Sequence, residues 1–274
     1  NSKEVEKMLD FVQYALKDFE EALSYKPESV REDYKEWKDS AYCRVLLLKN
    51  QKDEILSSQH LFYKGIVWLN SNQLEEVQEA KKIFAQNSEN SVSWRSNYLI
   101  ACVLEIIKKN ELDLEYDSDL KSYEKAFSSH VSAIRGIYSK ELHIAYVYGL
   151  FLYLSIDKIE KFWTLYEQMP EDIHQDKRVS TYVIEAYLSL GNEAEAKKQL
   201  KQLQLIYGET SEIKKLWERI EKADSTGQQI ERPLVQGNTE SNELTYKEIR
   251  QLLYGLSLKS NSVLAEIMVD EDEF

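Results

Sequence analysis

Helix breakers are scarce in this chain: 274 residues contain only 8 glycines and 3 prolines. An all-β fold needs a turn every 8–12 residues, so this scarcity argues against one. Cysteine is nearly absent too. Cys43 and Cys102 each lie inside an apolar helical pattern, which suits buried reduced thiols rather than a disulfide framework. No uninterrupted apolar run reaches the length of a membrane span. The longest candidate, Ile144–Ile156, stops well short. No secretory leader is visible, and the expected setting is a reducing one such as the cytoplasm. Basic charge is in deficit: 35 Lys and Arg stand against 48 Asp and Glu, a formal net charge of −13. Nucleic-acid binding is not expected without a basic face to neutralise phosphates, and insertion into anionic membranes is not expected either.

The residues that are present favour helices. Leu, Lys, Glu, Gln and Ala are frequent, hydrophobic content is 43%, and charged content is 30%. The fold class expected is all-α. Val5, Met8, Leu9, Val12, Leu16 and Phe19 recur at spacings of three and four, and predict a helix over Ser2–Tyr25 that Pro27 ends. Further helices are expected over Glu28–Leu48, Asp53–Leu69, Leu74–Phe84, Val92–Lys109, Leu120–Tyr138, His143–Ile156, Lys158–Met169, Val179–Leu190, Glu193–Tyr207 and Ser211–Ala223. Residues 224–243 are polar and aperiodic and read as a linker. Residues 244–269 carry short terminal helices, with Ile249, Leu252, Leu253 and Leu256 on one stripe, and 270–274 form an acidic tail. From Asp224 to Phe274 there are 10 acidic and 4 basic residues, so nearly half of the net charge sits in the last fifth of the chain. The terminal helix either docks back on its own chain or offers its apolar stripe to a partner.

Two stretches repeat. "YLSID" begins at Tyr153 and "YLSLG" at Tyr187, 34 residues later, and a second helix follows each after a few residues. In the later copy Gly191 supplies a turn without a Cβ clash. Ala196 is small where two helices cross, and Leu200 and Leu203 follow as apolar positions. This unit, 177–208, resembles the tetratricopeptide repeat, a helix–turn–helix family of that period. The unit before it, 143–176, is degenerate. Asp157 replaces the turn glycine, and Phe162 stands where a small residue is usual, so the helices there are expected to splay. "AKKIF" at Ala80 resembles "AKKQL" at Ala196.

The resemblance implies an α-solenoid of antiparallel helix pairs over 1–223. It also implies a concave face, lined by the first helix of each pair, that holds a partner peptide or helix. By repeat position Val147, Phe151 and Leu154 would face it from one unit, and Arg178, Thr181, Glu185 and Ser189 from the next. A non-catalytic interaction scaffold or adaptor is the leading reading. Two others remain: a sensor or regulatory domain of a larger multidomain protein, and a helical-bundle enzyme.

Candidate chemistry is sparse. Glu171-Asp172-Ile173-His174 has the Glu-x-x-His form of di-iron bundles, but occurs once and beside Pro170. The stretch Asp113–Glu124 places acids at positions 1, 3, 5, 7 and 12 of twelve, the spacing of a calcium loop, with Ser118 where that loop needs glycine. A solvated loop capping the next helix through Asp117 or Ser118 is the expected alternative. No nucleophile–base pair and no phosphate-cradling glycine loop stands out, so no catalytic residue, metal or cofactor is assigned.

Overall fold

The computed structural model describes residues 2–26, 28–89, 91–134 and 140–226, and within them the fold is all-α. The expected terminal helices and acidic tail lie outside the described residues. The chain divides between Asn70 and Ser71 into two compact units, where the sequence suggested one array over 1–223.

The first unit holds α1 (Ser2–Ser24), α2 (Glu28–Leu48), α3 (Lys52–Ser57) and α4 (Leu61–Leu69). The stripe read from the sequence buries as expected: Leu9, Val12, Leu16, Phe19 and Leu23 of α1 pack on Ala41 and Val45 of α2. Tyr34 and Trp37 meet the Phe19 ring edge-on at 6.1 and 5.8 Å. The expected helix Asp53–Leu69 is broken in two. The Ser58 hydroxyl donates to the Ile55 carbonyl and accepts from the His60 amide, and the backbone at Ser58 is extended. Serine competes with the helical ladder in this way wherever such local bonds are available.

The second unit holds α5 (Leu74–Gln86), α6 (Val92–Glu111), α7 (Asp117–Ala133), α8 (Lys140–Ser155), α9 (Ile159–Gln168), α10 (Lys177–Ser189), α11 (Glu193–Tyr207) and α12 (Ser211–Thr226). The residues expected to begin the linker, 224–226, extend α12. Helix α6 packs on α5, α7 and α8; α8 packs on α9 and α10; α10 packs on α11; and α11 packs on α12. One apolar cluster runs from Leu99 of α6 to Ala186 of α10. A second joins Ile184 and Leu188 to Ala196, Leu200, Leu203 and the α12 residues Ile213, Leu216 and Ile220. No helix among the described residues is long and apolar enough to cross a membrane.

One corner recurs four times. At the end of α10 Gly191 has φ +68°, its amide bonds the Leu188 carbonyl, and the Asn192 amide bonds the Tyr187 carbonyl. This is the Schellman closure, which satisfies carbonyls that a helix end leaves bare. Asp157 after α8, at φ +57°, repeats both bonds, from its own amide to Leu154 and from Lys158 to Tyr153. Asp113 after α6 and Asn50 after α2 do the same at φ +54° and +58°. These three are the described non-glycine residues with positive φ. Their short polar side chains tolerate the left-handed region better than others do.

Phe162, expected to splay the pair, is fully buried. Helix α8 meets its neighbours most closely at Gly149. A Cβ there would stand 2.7 Å from Leu165 Cδ2 and 3.0 Å from Tyr123 Oη.

The corner chemistry gives a paired prediction. Gly191→Ala lowers stability by about 1 kcal/mol or more, because it forces a Cβ into the left-handed region. Asp157→Gly raises it by up to about 1 kcal/mol. Urea midpoints of the two variants should move in opposite directions.

Candidate functional site

The positive-φ residues Asp113, Asp157 and Gly191 put α6, α8 and α10 in common register. Seven positions before each lie Ile106, Leu150 and Ile184, and all three are fully buried. Thirteen before lie Ile100, Ile144 and Arg178, and all three reach the surface. Nine before, Leu104 and Tyr148 are half-buried, while Tyr182 is covered. Two before lie the accessible residues Glu111, Ser155 and Ser189. Of the three helices α8 alone keeps a continuous accessible strip through these places, since Ile107 of α6 and Tyr182 and Glu185 of α10 are covered. On α8 the strip reads Ile144, Tyr148, Phe151 and Ser155, with no charge along it.

Helices α8 and α10 are joined by specific contacts. Phe151 stacks on Tyr182 at 5.9 Å and 21°. Asp176, the N-cap of α10, accepts from the Arg178 backbone amide at 2.7 Å and from its guanidinium at 3.0 and 3.2 Å. His143 Nε2 lies 2.6 Å from the same carboxylate. Burial opposes ionisation of Asp176, but the bonds to Arg178 and His143 outweigh it and bring its pKa down to about 2.

The seven residues expected on this face divide. Phe151 and Thr181 are half-buried, and Arg178 and Ser189 are exposed. Val147 at 2%, Leu154 at 4% and Glu185 at 5% exposure are covered. The α8 assignments were out of phase by one residue at both ends, with Tyr148 and Ser155 on the strip instead. Glu185 turns inward to an ion pair with Arg219 of α12. Burial raises its pKa, and Arg219 works against that shift. Ile100, Leu104 and Ile144, also accessible at these places, are not among the seven.

The acidic stretch Asp113–Glu124 is not a convergent loop. Asp113 is the corner residue of α6, and α7 already begins at Asp117. Its N-cap is Tyr116, without a side-chain bond, rather than Asp117 or Ser118. Glu115 Oε1 accepts from the Asp117 amide. Asp119 faces Lys109 at 2.6 Å and Lys81 at 3.4 Å. Glu124 takes Lys161 at 2.5 Å and the Tyr153 hydroxyl at 3.2 Å. Asp119 and Glu124 thus serve helix packing and point to different cations. Glu105, 4% exposed, completes the group with Lys81 at 2.6 Å and Lys109 at 3.1 Å. Lys81, Glu105, Lys109 and Asp119 thus form a closed ring of alternating charge across α5, α6 and α7. Burial works against the Glu105 carboxylate, yet hydrogen bonds from Lys81, Gln78 and Lys109 keep its pKa below the ordinary value.

The remaining candidates are structural. Glu171–His174 falls in a turn with a short 3-10 segment, Ile173–Gln175. His174 Nε2 lies 3.0 Å from the Tyr166 carbonyl. No cluster of three metal-ligating side chains occurs among the described residues. Cys43 and Cys102 are buried and free. Burial pushes the Cys102 thiol up to about 11, far from the thiolate that reactive cysteines need. In the first unit a cleft of about 680 Å³ lies between α1 and α2. Within it Lys49 bonds Asp10 and Gln13, and Lys38 bonds Glu20 and Asp39. That cleft is a salt-bridged seam.

Removing Glu105 leaves Lys81 and Lys109 to share Asp119 alone. Breaking a buried pair from one side costs up to about 3–5 kcal/mol, and the remaining carboxylate reduces that cost here. Glu105→Ala should lower the thermal midpoint strongly, while Glu124→Ala, whose carboxylate is a third exposed, shifts it little.

Compared with known proteins, the chain matches no family model, no curated protein and no solved structure.

Proposed function

We propose that this chain is a non-catalytic docking scaffold whose second unit holds a partner's helix or extended peptide along the accessible strip of α8 and the accessible residues Arg178, Thr181 and Ser189 of α10. The observation that carries the reading is the uncharged α8 strip, Ile144, Tyr148, Phe151 and Ser155, in a chain with 30% charged residues. Solvated helix faces normally carry charge. The Phe151 ring within it is stacked on Tyr182, and the Arg178 guanidinium, fixed by Asp176, lies on the neighbouring helix α10. Aromatic and Arg side chains held rigid are the usual anchors of such contacts, because little conformational freedom is lost on binding.

The tetratricopeptide-like solenoid belongs to this proposal. It is supported by the shared register of α6, α8 and α10 and by the matching corners at Asp157 and Gly191. A reducing compartment fits the two buried free thiols.

Peptides selected from a random display library against the full chain supply the test. Phe151→Asp should weaken their binding at least tenfold. Leu205→Asp, at an 86% exposed position on α11, should leave it unchanged. Circular dichroism must show both variants folded. Peptides that bind the Phe151 variant as tightly as the parent would place docking elsewhere and end the proposal.

A further inference from the structure

His130 is a buried titratable group that the docking reading leaves idle. It sits in the last turn of α7 with no exposed surface. Its Nε2 lies 3.3 Å from the Ser96 hydroxyl of α6. Its Nδ1, also buried, has no hydrogen-bond partner among the described residues. Helix α7 packs on α6 and α8. The charged groups acting on the ring from those helices are Arg95 of α6 and Glu141 of α8.

A neutral imidazole suits this place. One nitrogen donates and the other accepts, so Nε2–H can bond Ser96 and leave Nδ1 as a bare lone pair. A second proton puts an N–H on Nδ1 with no acceptor, and a positive charge in dry packing. Neither is costly once the turn opens to water. We propose that His130 is an acid-sensitive latch: protonation of its ring releases the last turn of α7 from α6.

Burial lowers the pKa of the ring; Arg95 lowers it further, and Glu141 opposes both less strongly. The closed turn therefore takes up the proton at lower pH than the opened one. Above about pH 6.5, the ordinary histidine value, closure is at full strength. As pH falls below that value, opening gains up to about tenfold per pH unit, until the closed-state pKa is reached.

Amide hydrogen exchange across His130–Ile134 tests the latch, read as protection factors from pH 7.5 to 5. In the parent chain protection should fall below pH 6.5, by up to about tenfold per pH unit. In His130→Asn it should stay level. A level parent profile, or an equally steep one in the variant, would overturn the proposal. Should the variant not fold, proton NMR of the parent decides: titration of the His130 ring in the folded chain at or above pH 6.5 overturns the latch, and titration clearly below supports it.

Discussion

The left-handed corner is the constraint from which the second unit follows. A helix ends with its last carbonyls unsatisfied, and one residue at φ near +60° lets its own amide and the next one reach back to them. The chain is then aimed backward, and the following helix lies against the one just ended. Asp157 and Gly191 do this 34 residues apart, and the helices before them, α8 and α10, come to lie side by side. The same corner at Asp113 brings α6 into register with them. Apolar burial then sets the phase of each helix. Ile106, Leu150 and Ile184, equally distant from their corners, are fully buried, and on α8 this leaves a continuous strip open to water.

Charge plays a second, local role. In a chain of net −13, the most buried carboxylates are matched: Glu105 within the Lys81–Lys109–Asp119 ring, Glu185 by Arg219, and Asp176 by Arg178 and His143. Partnered buried charge contributes less to net stability than to fixing which helix meets which, since unpairing it is costly. The acidic stretch after α6 therefore fixes α7 against α5 and α6.

Much of the helical plan was legible. Glu28–Leu48 and Glu193–Tyr207 have the bounds that apolar periodicity gave them, and the elbow at Gly191 has the conformation that its residue type implied. Three kinds of feature were not legible. Helix α8 is apolar all round, so its sequence has no polar face to show its phase, and Val147 and Leu154 were assigned one residue away from the strip. Ser58 breaks a helix by local bonding that spacing alone does not reveal. The corners at Asn50 and Asp113 carry polar residues in place of glycine, and were hidden for that reason.

The neutrality of the α8 strip bears on how fast anything could arrive there. Electrostatic steering needs an attracting field, and it fades as ionic strength rises. An apolar segment approaching Tyr148 and Phe151 would meet no such pull. Its capture would proceed at the slower rate of unguided diffusion, of order 10⁵–10⁶ M⁻¹s⁻¹, and would be nearly indifferent to salt. Selectivity on such a surface would reside in how long a bound segment stays.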